Sequence, residues 1–140
     1  MVTGGASGIG RASAEALVAD GREVVLWDIA PDVTEVAATM GVSGAVVDVT
    51  DTAAIAAAVK ALDGVTGLVH AAGRVIPEPV GTYTEASWDA VLDVNLRAHV
   101  RAATALVPDW EARGSGHFVA VASAAGLLTQ IGAAGYSVSK

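Results

Sequence analysis

The chain opens on a strand end, Val2-Thr3, that runs directly into a loop carrying glycine at positions 4, 5, 8 and 10, and then into a helical pattern. In the spacing G-x-x-x-G-x-G, Gly4, Gly8 and Gly10 let the backbone turn tightly and approach a ligand closely, because no Cβ intervenes. A helix that begins at about Gly8 points its free N–H groups and its positive dipole end at whatever lies above the loop. That arrangement suits an anion, usually pyrophosphate, and Ser7 and Ile9 complete the loop. The same residues also fit a glycine-rich turn that binds nothing. The rest of the chain has to decide between the two.

Beyond the loop, strand and helix patterns alternate regularly. The first helix is expected from Gly8 to about Asp20, with Ile9, Ala16 and Leu17 on one side and Gly21 as its C-terminal cap. Glu23 to Asp28 is a short apolar run that reads as a strand buried on both faces. Pro31 opens a second helix to about Met40, and Gly44 to Val49 is a third strand. Thr50 caps a third helix on which Ile55, Val59 and Leu62 share a face. Gly67 to Ala71 is a fourth strand. After a loop holding Pro77 and Pro79, a helix starts at Thr84, and Leu96, Val100, Ala103 and Val107 mark a long amphipathic one with Pro108 near its end. Phe118 to Ala122 is a fifth strand, and Gly135 to Lys140 opens a further helix. Strands alternating with helices of this length predict a doubly wound α/β fold, with about five parallel strands between two helical layers.

Composition excludes several classes. At 140 residues, 53% hydrophobic and 16% charged, the chain is sized for one domain with a sizeable core. No apolar run approaches the roughly 18 residues of a spanning helix. A net charge of −7, spread without a basic run, argues against nucleic acid as a partner. The chain has no cysteine, and its three histidines, His70, His99 and His117, lie far apart, so no metal site is expected. A protein of the cytoplasm is the expectation.

In such a sheet, ligands bind over the carboxyl ends of the strands where strand order reverses. Asp28 ends the second strand, roughly twenty residues past the loop, where a carboxylate accepts hydrogen bonds from both ribose hydroxyls of an adenosine. It also repels a 2′-phosphate, and no basic residue precedes Arg11, so NAD is expected in preference to NADP. Asp48 ends the third strand, placed to meet an adenine amino group or simply to precede a helix. Tyr136 and Lys140 are spaced i and i+4, on one helical face. An ammonium beside a phenol stabilises the phenolate and brings a proton donor of pKa about 10 nearer the working range. Ser123, at the end of the fifth strand, can hold a carbonyl oxygen while Tyr136 protonates it, or can satisfy a turn. No Gly-x-Ser-x-Gly elbow surrounds Ser123, and no Gly-Lys-Ser/Thr follows the loop, which excludes the hydrolase and Walker-type readings.

Together these segments resemble the short-chain dehydrogenase/reductase family. Thr3-Gly4-x-x-x-Gly8-x-Gly10 matches its cofactor loop, and Asp48-Val49 its adenine-contacting pair. Val94-Asn95-Leu96 matches the segment with its catalytic asparagine, Ser123 its serine, and Tyr136-x-x-x-Lys140 its signature. The resemblance spans essentially all 140 residues and implies a Rossmann-like dinucleotide-binding domain that carries the catalytic residues. It implies hydride transfer between NAD(P) and a secondary alcohol or ketone, with a small-molecule substrate. Tyr136 is then the general acid/base, Ser123 orients the substrate oxygen, Lys140 binds the nicotinamide ribose, and Asn95 interrupts its helix to hold a water in the proton relay. Ala71, Ala72 and Gly73 fall in the cofactor-contacting segment.

Two departures accompany the match. The family's Asn-Asn-Ala-Gly stands here as His70-Ala71-Ala72-Gly73, so a bracing amide is replaced. His70 serves in its place or is a structural strand-end histidine. The family's pattern also continues beyond both ends of this sequence, through a longer first strand and a C-terminal substrate-binding part. A homo-oligomer is expected of a full-length parent. A catalytically incompetent nucleotide-binding fragment or interaction module is the alternative.

Overall fold

The computed structural model describes residues 1–140. Five parallel strands form one sheet: β1 (Val2–Thr3), β2 (Val25–Asp28), β3 (Ser43–Val46), β4 (Gly67–His70) and β5 (His117–Ala120), in the order β3-β2-β1-β4-β5. Six helices alternate with them: α1 (Gly8–Ala19), α2 (Val33–Thr39), α3 (Thr52–Lys60), α4 (Glu85–Leu92), α5 (Ala98–Arg113) and α6 (Ala134–Ser139). Although it is only two residues long, β1 is central. Val2 and Thr3 pair with Leu26 and Trp27 on one side and with Val69 and His70 on the other. Strand order reverses at β1, so the crevice lies between the carboxyl ends of β1 and β4.

Alternation along each strand divides the core into two layers. Leu26 packs with Val2, Ala14, Val33 and Ala37 beneath α1 and α2. Its neighbour Trp27 faces the opposite side and packs with Val47 and Ile55 of α3. Leu68 lies on that second side with Ala102, Leu106 and Trp110 of α5. The doubly wound, three-layer arrangement read from the sequence is therefore the observed one. No helix is long and apolar enough to cross a membrane.

Several local expectations need correction. The helix beginning at Thr52 is capped by Asp51, whose carboxylate accepts from the N–H groups of Ala53 and Ala54 at 2.8 and 3.0 Å. Thr50 instead turns its N–H and hydroxyl to the carboxylate of Asp48. Pro31 lies outside α2, which begins two residues later. On α1 the inward face is Gly10 and Ala14, while Ile9 is 63% exposed. On α5 the buried stripe is Ala98, Ala102, Leu106 and Trp110, and Val100 and Val107 face outward. The buried stripe mixes small and large residues, which a rule that follows only large apolar residues does not register. Pro108 sits inside α5.

Candidate active site

The loop Gly4 to Ser7 leaves β1 with Gly4 at φ 65°, and the helix opens with Gly8 at φ 52°. A Cβ on Gly4 would lie 2.7 Å from the Ala72 backbone nitrogen, and one on Gly10 only 2.1 Å from the Gly4 carbonyl oxygen. A Cβ on Gly8 would meet nothing within 4 Å. Two of the glycines thus hold the loop folded against itself and against the end of β4, and the third leaves space open above the helix. The N-cap residue Ser7 makes no side-chain cap, so the first-turn N–H groups of α1 are not taken up by it. Gly10→Ala is expected to push this backbone apart and cost about 1–3 kcal/mol in a urea unfolding experiment.

Above the loop lies a cavity of about 350 Å³. Gly4, Ser7, Gly8, Ile9 and Gly10 form one wall; Asp28 ends β2, Asp48 and Val49 lie just past β3, which stops at Val46 and not at Val49 as expected, and Ala71, Ala72 and Gly73 follow β4. Every cofactor-binding residue expected from the sequence, apart from Tyr136 and Lys140, faces this one space. Val94, not anticipated, also lines it. Asp28 is fixed in place: one carboxylate oxygen accepts from the Ala6 N–H and the other from the Ala30 N–H, both at 3.0 Å. The only charged residues on the walls are Asp28 and Asp48; no lysine or arginine lines the cavity. The folded glycine cradle, the open space over Gly8 and the uncapped helix start suit a dinucleotide whose phosphates are met by backbone N–H groups.

At the far end the chain assembles a second set of groups. The segment Asp93–Arg97 is a π-helical turn between α4 and α5, and it carries the buried Asn95. This side chain accepts from the Arg74 N–H and donates to the Arg74 carbonyl, each at 2.7 Å, and donates to Ser139 Oγ at 2.8 Å. Ser139 in turn donates to the Tyr136 carbonyl at 2.8 Å. One amide therefore joins the loop after β4 to α6. An interrupted helix at Asn95 is seen, as the resemblance implied; the bracing by Ser139 was missed, because a serine in a short helix gives no sequence signal.

On α6, Tyr136 and Lys140 share a face, with the Lys140 ammonium 6.0 Å from the centre of the Tyr136 ring. The ammonium donates to the Val121 carbonyl at 2.9 Å. Desolvation lowers its pKa from the usual lysine value. A Cβ on Gly73 would lie 3.5 Å from Asn95 Oδ1 and 3.6 Å from Lys140 Nζ, so these groups converge on one glycine that also lines the cavity. Ser123 begins a short 3-10 turn, accepting from the Ala125 N–H at 3.2 Å, and that turn packs on the end of α6 through Gly126. At its other end, α6 is anchored by the Tyr83 hydroxyl, which accepts from the Gly135 N–H. Glu78 and Ala133 form an isolated parallel bridge, which ties the proline-containing loop after β4 to the segment before α6.

His70, at the position where the resemblance implies an amide, makes a bond of its own to β1. Its Nδ1 lies 3.1 Å from Thr3 Oγ1, which also accepts from the Ala72 N–H. The imidazole thus links β4 to β1 beside the cavity.

A family model described as short chain dehydrogenase matches residues 1–140. The 2-dehydro-3-deoxy-L-rhamnonate dehydrogenase (NAD(+)) of Sphingomonas sp. is 37% identical over all of this chain, which covers 59% of that protein. A 3-alpha-(or 20-beta)-hydroxysteroid dehydrogenase of Mycobacterium bovis is 33% identical, with 56% of its length covered. Among solved structures, a protein provisionally assigned as an NAD(P)-dependent gluconate 5-dehydrogenase from Beutenbergia cavernae, with NADP bound at low occupancy, superposes at TM-score 0.92 with 33% identity. That match covers 99% of this chain and 59% of the other. The chain spans less than two thirds of the length of these relatives. On the strand order, the glycine cradle and this likeness, the chain belongs to the short chain dehydrogenase family.

Proposed function

We propose that this chain is the dinucleotide-binding and catalytic part of an oxidoreductase that moves hydride between NAD and a secondary alcohol or ketone. The observation that carries the reading is the meeting of Asn95, Gly73 and Lys140 at the end of the cavity walled by the glycine loop and Asp28. Bound nicotinamide supplies the redox chemistry. The protein supplies orientation and proton handling. Tyr136 exchanges a proton with the substrate oxygen as general acid or base, and Ser123 holds that oxygen. Lys140, whose ammonium donates to the Val121 carbonyl, binds the nicotinamide ribose beside Tyr136, and Asn95 holds a water in the proton relay.

Two carboxylates and no basic side chain on the cavity wall support NAD over NADP, since a 2′-phosphate beside Asp28 meets like charge without a compensating cation. Asp28→Ala is expected to weaken NADH binding by about 10- to 100-fold, the size of a lost charge-assisted hydrogen bond. NADPH binding should fall less. A variant that keeps the same preference as the parent sequence, measured by fluorescence titration with both cofactors, overturns this assignment. The small-molecule substrate belongs to the loops around Glu78 and Ala133, and a cytoplasmic setting goes with the NAD reading. The outward Leu96, Val100 and Val107 supply a self-complementary apolar face for a homo-oligomer of the full-length parent. Oxidation of a panel of secondary alcohols by that parent, followed by NADH appearance, tests the activity directly.

A further inference from the structure

Two histidines lie behind the site, and the reaction outlined above uses neither. His70 is fully buried at the end of β4, and the half-buried His99 sits one helical turn after Asn95. Their ring centres are 4.0 Å apart with planes tilted by 46°. His70 Nε2 and His99 Nδ1 are both buried and make no well-formed hydrogen bond; the Val94 and Asn95 backbones come near enough only to temper the effect of burial. The Phe118 ring flanks His99 at 5.9 Å.

The pair occupies a junction. His70 is bound through Nδ1 to Thr3 of β1, so its ring is fixed relative to the centre of the sheet. His99 rides on the same helical stretch as Asn95. The end of β4 and the loop after it are therefore held to this helical stretch twice, by the packed imidazoles at the start of α5 and by the Asn95–Arg74 bonds at the π-helical turn. Gly73 lies on the connection between His70 and Arg74, with the Lys140 ammonium against it.

Charge follows from that placement. Burial pushes the His70 imidazole down to about 4, with further contributions from His99 and Lys140 opposed by the Val94 carbonyl. His99 is lowered by burial and by Lys140, opposed by the Asn95 carbonyl. The titratable groups acting on the pair are thus each other, from β4 and α5, and Lys140 from α6. Three nitrogen bases share a poorly solvated corner, and like charges there exclude one another.

We propose that His70 and His99 are positioning residues for Lys140: a close-packed imidazole pair that clamps the start of α5, and with it the Asn95 turn, to the end of β4, beside the glycine that the Lys140 ammonium meets. A charge on the pair and a charge on Lys140 therefore compete. The catalytic use of Lys140 rests on the proposed function, whereas its coupling to the histidines is a property of the chain alone.

The test is an NMR titration of the 140-residue chain without cofactor, following the histidine imidazole nitrogens and the lysine Cε–Nζ signals. The expected result is that His70 and His99 are neutral at pH 7, and that Lys140→Met moves the midpoints of both upward. His99→Phe should raise the His70 midpoint above about 4 while keeping a ring in the stack. His99→Ala, which removes ring and charge together, separates packing from charge: it should raise the His70 midpoint likewise and also lower stability. The exposed His117 reports on global unfolding in each variant, and Lys140→Gln repeats the first comparison with a polar side chain. If either imidazole of the unsubstituted chain titrates like a free histidine, the proposal fails. It fails equally if the His70 midpoint is unmoved by Lys140→Met and His99→Phe. Absence of NADH binding or turnover, by contrast, strikes at the proposed function and leaves this coupling standing.

Discussion

Tyr136→Phe is expected to abolish measurable turnover in the full-length parent while leaving NADH binding intact. The substitution removes one hydroxyl and keeps the half-buried ring that packs below Lys140. The backbone carbonyl of Tyr136 still accepts from Ser139, so the connection through Asn95 to the loop after β4 persists. On the proposed role, what is lost is the proton donor and acceptor at the reacting oxygen, a contribution of about 10²- to 10⁴-fold. The cradle at Gly4, Gly8 and Gly10 is untouched, and cofactor affinity should stay within a few-fold of the parent value. Unchanged turnover removes Tyr136 from the role proposed for it; loss of both activity and binding shows a structural role instead.

Mild acid is expected to destabilise the fold through His70. In the unfolded chain the imidazole takes up its proton near pH 6.5, whereas in the fold burial delays that to about 4. Between those values the unfolded state binds more protons than the native one, so stability falls as pH falls through this window. The full difference corresponds to about 3 kcal/mol, present above pH 6.5 and gone near pH 4. That is a large share of a marginal domain stability. Urea unfolding at a series of pH values measures it. His70→Asn, which keeps a polar partner for Thr3 and cannot titrate, should make the curve shallower across the window, leaving the smaller slope that the half-buried His99 contributes. A slope that survives undiminished in this variant assigns the acid sensitivity elsewhere.

Much of the fold was legible because the chain punctuates itself. Gly21 and Gly41, both at positive φ, follow helix ends where the pattern placed them, and Leu26-Trp27 buries both faces of a central strand. The cavity wall was equally readable, since Gly4, Gly8, Gly10, Asp28 and Asp48 each sit at a strand end or helix start whose position follows from the alternation. What escaped was packing between elements distant in sequence. Ala98 and Ala102 are buried in place of Val100 because the buried stripe of α5 is chosen by what it meets across the fold, Leu68 among them, and not by side-chain size. The Asp51 cap won over Thr50 because Asp48 had already engaged the threonine. Ser139, Tyr83 and the His70–His99 stack depend on contacts spanning 29 to 52 residues, which no local period encodes.

The central claim, that this chain holds a nicotinamide dinucleotide in the cavity over its first helix, is tested most directly by amide chemical-shift mapping as NADH is added to the 140-residue chain. The account predicts saturable shifts concentrated at Gly4 to Gly10, Asp28, Asp48 and Ala71 to Gly73, with smaller ones at Lys140 and none at the exposed outer face of α5. Shifts confined to other surfaces, or no shifts at NADH concentrations that saturate full-length relatives, would contradict it.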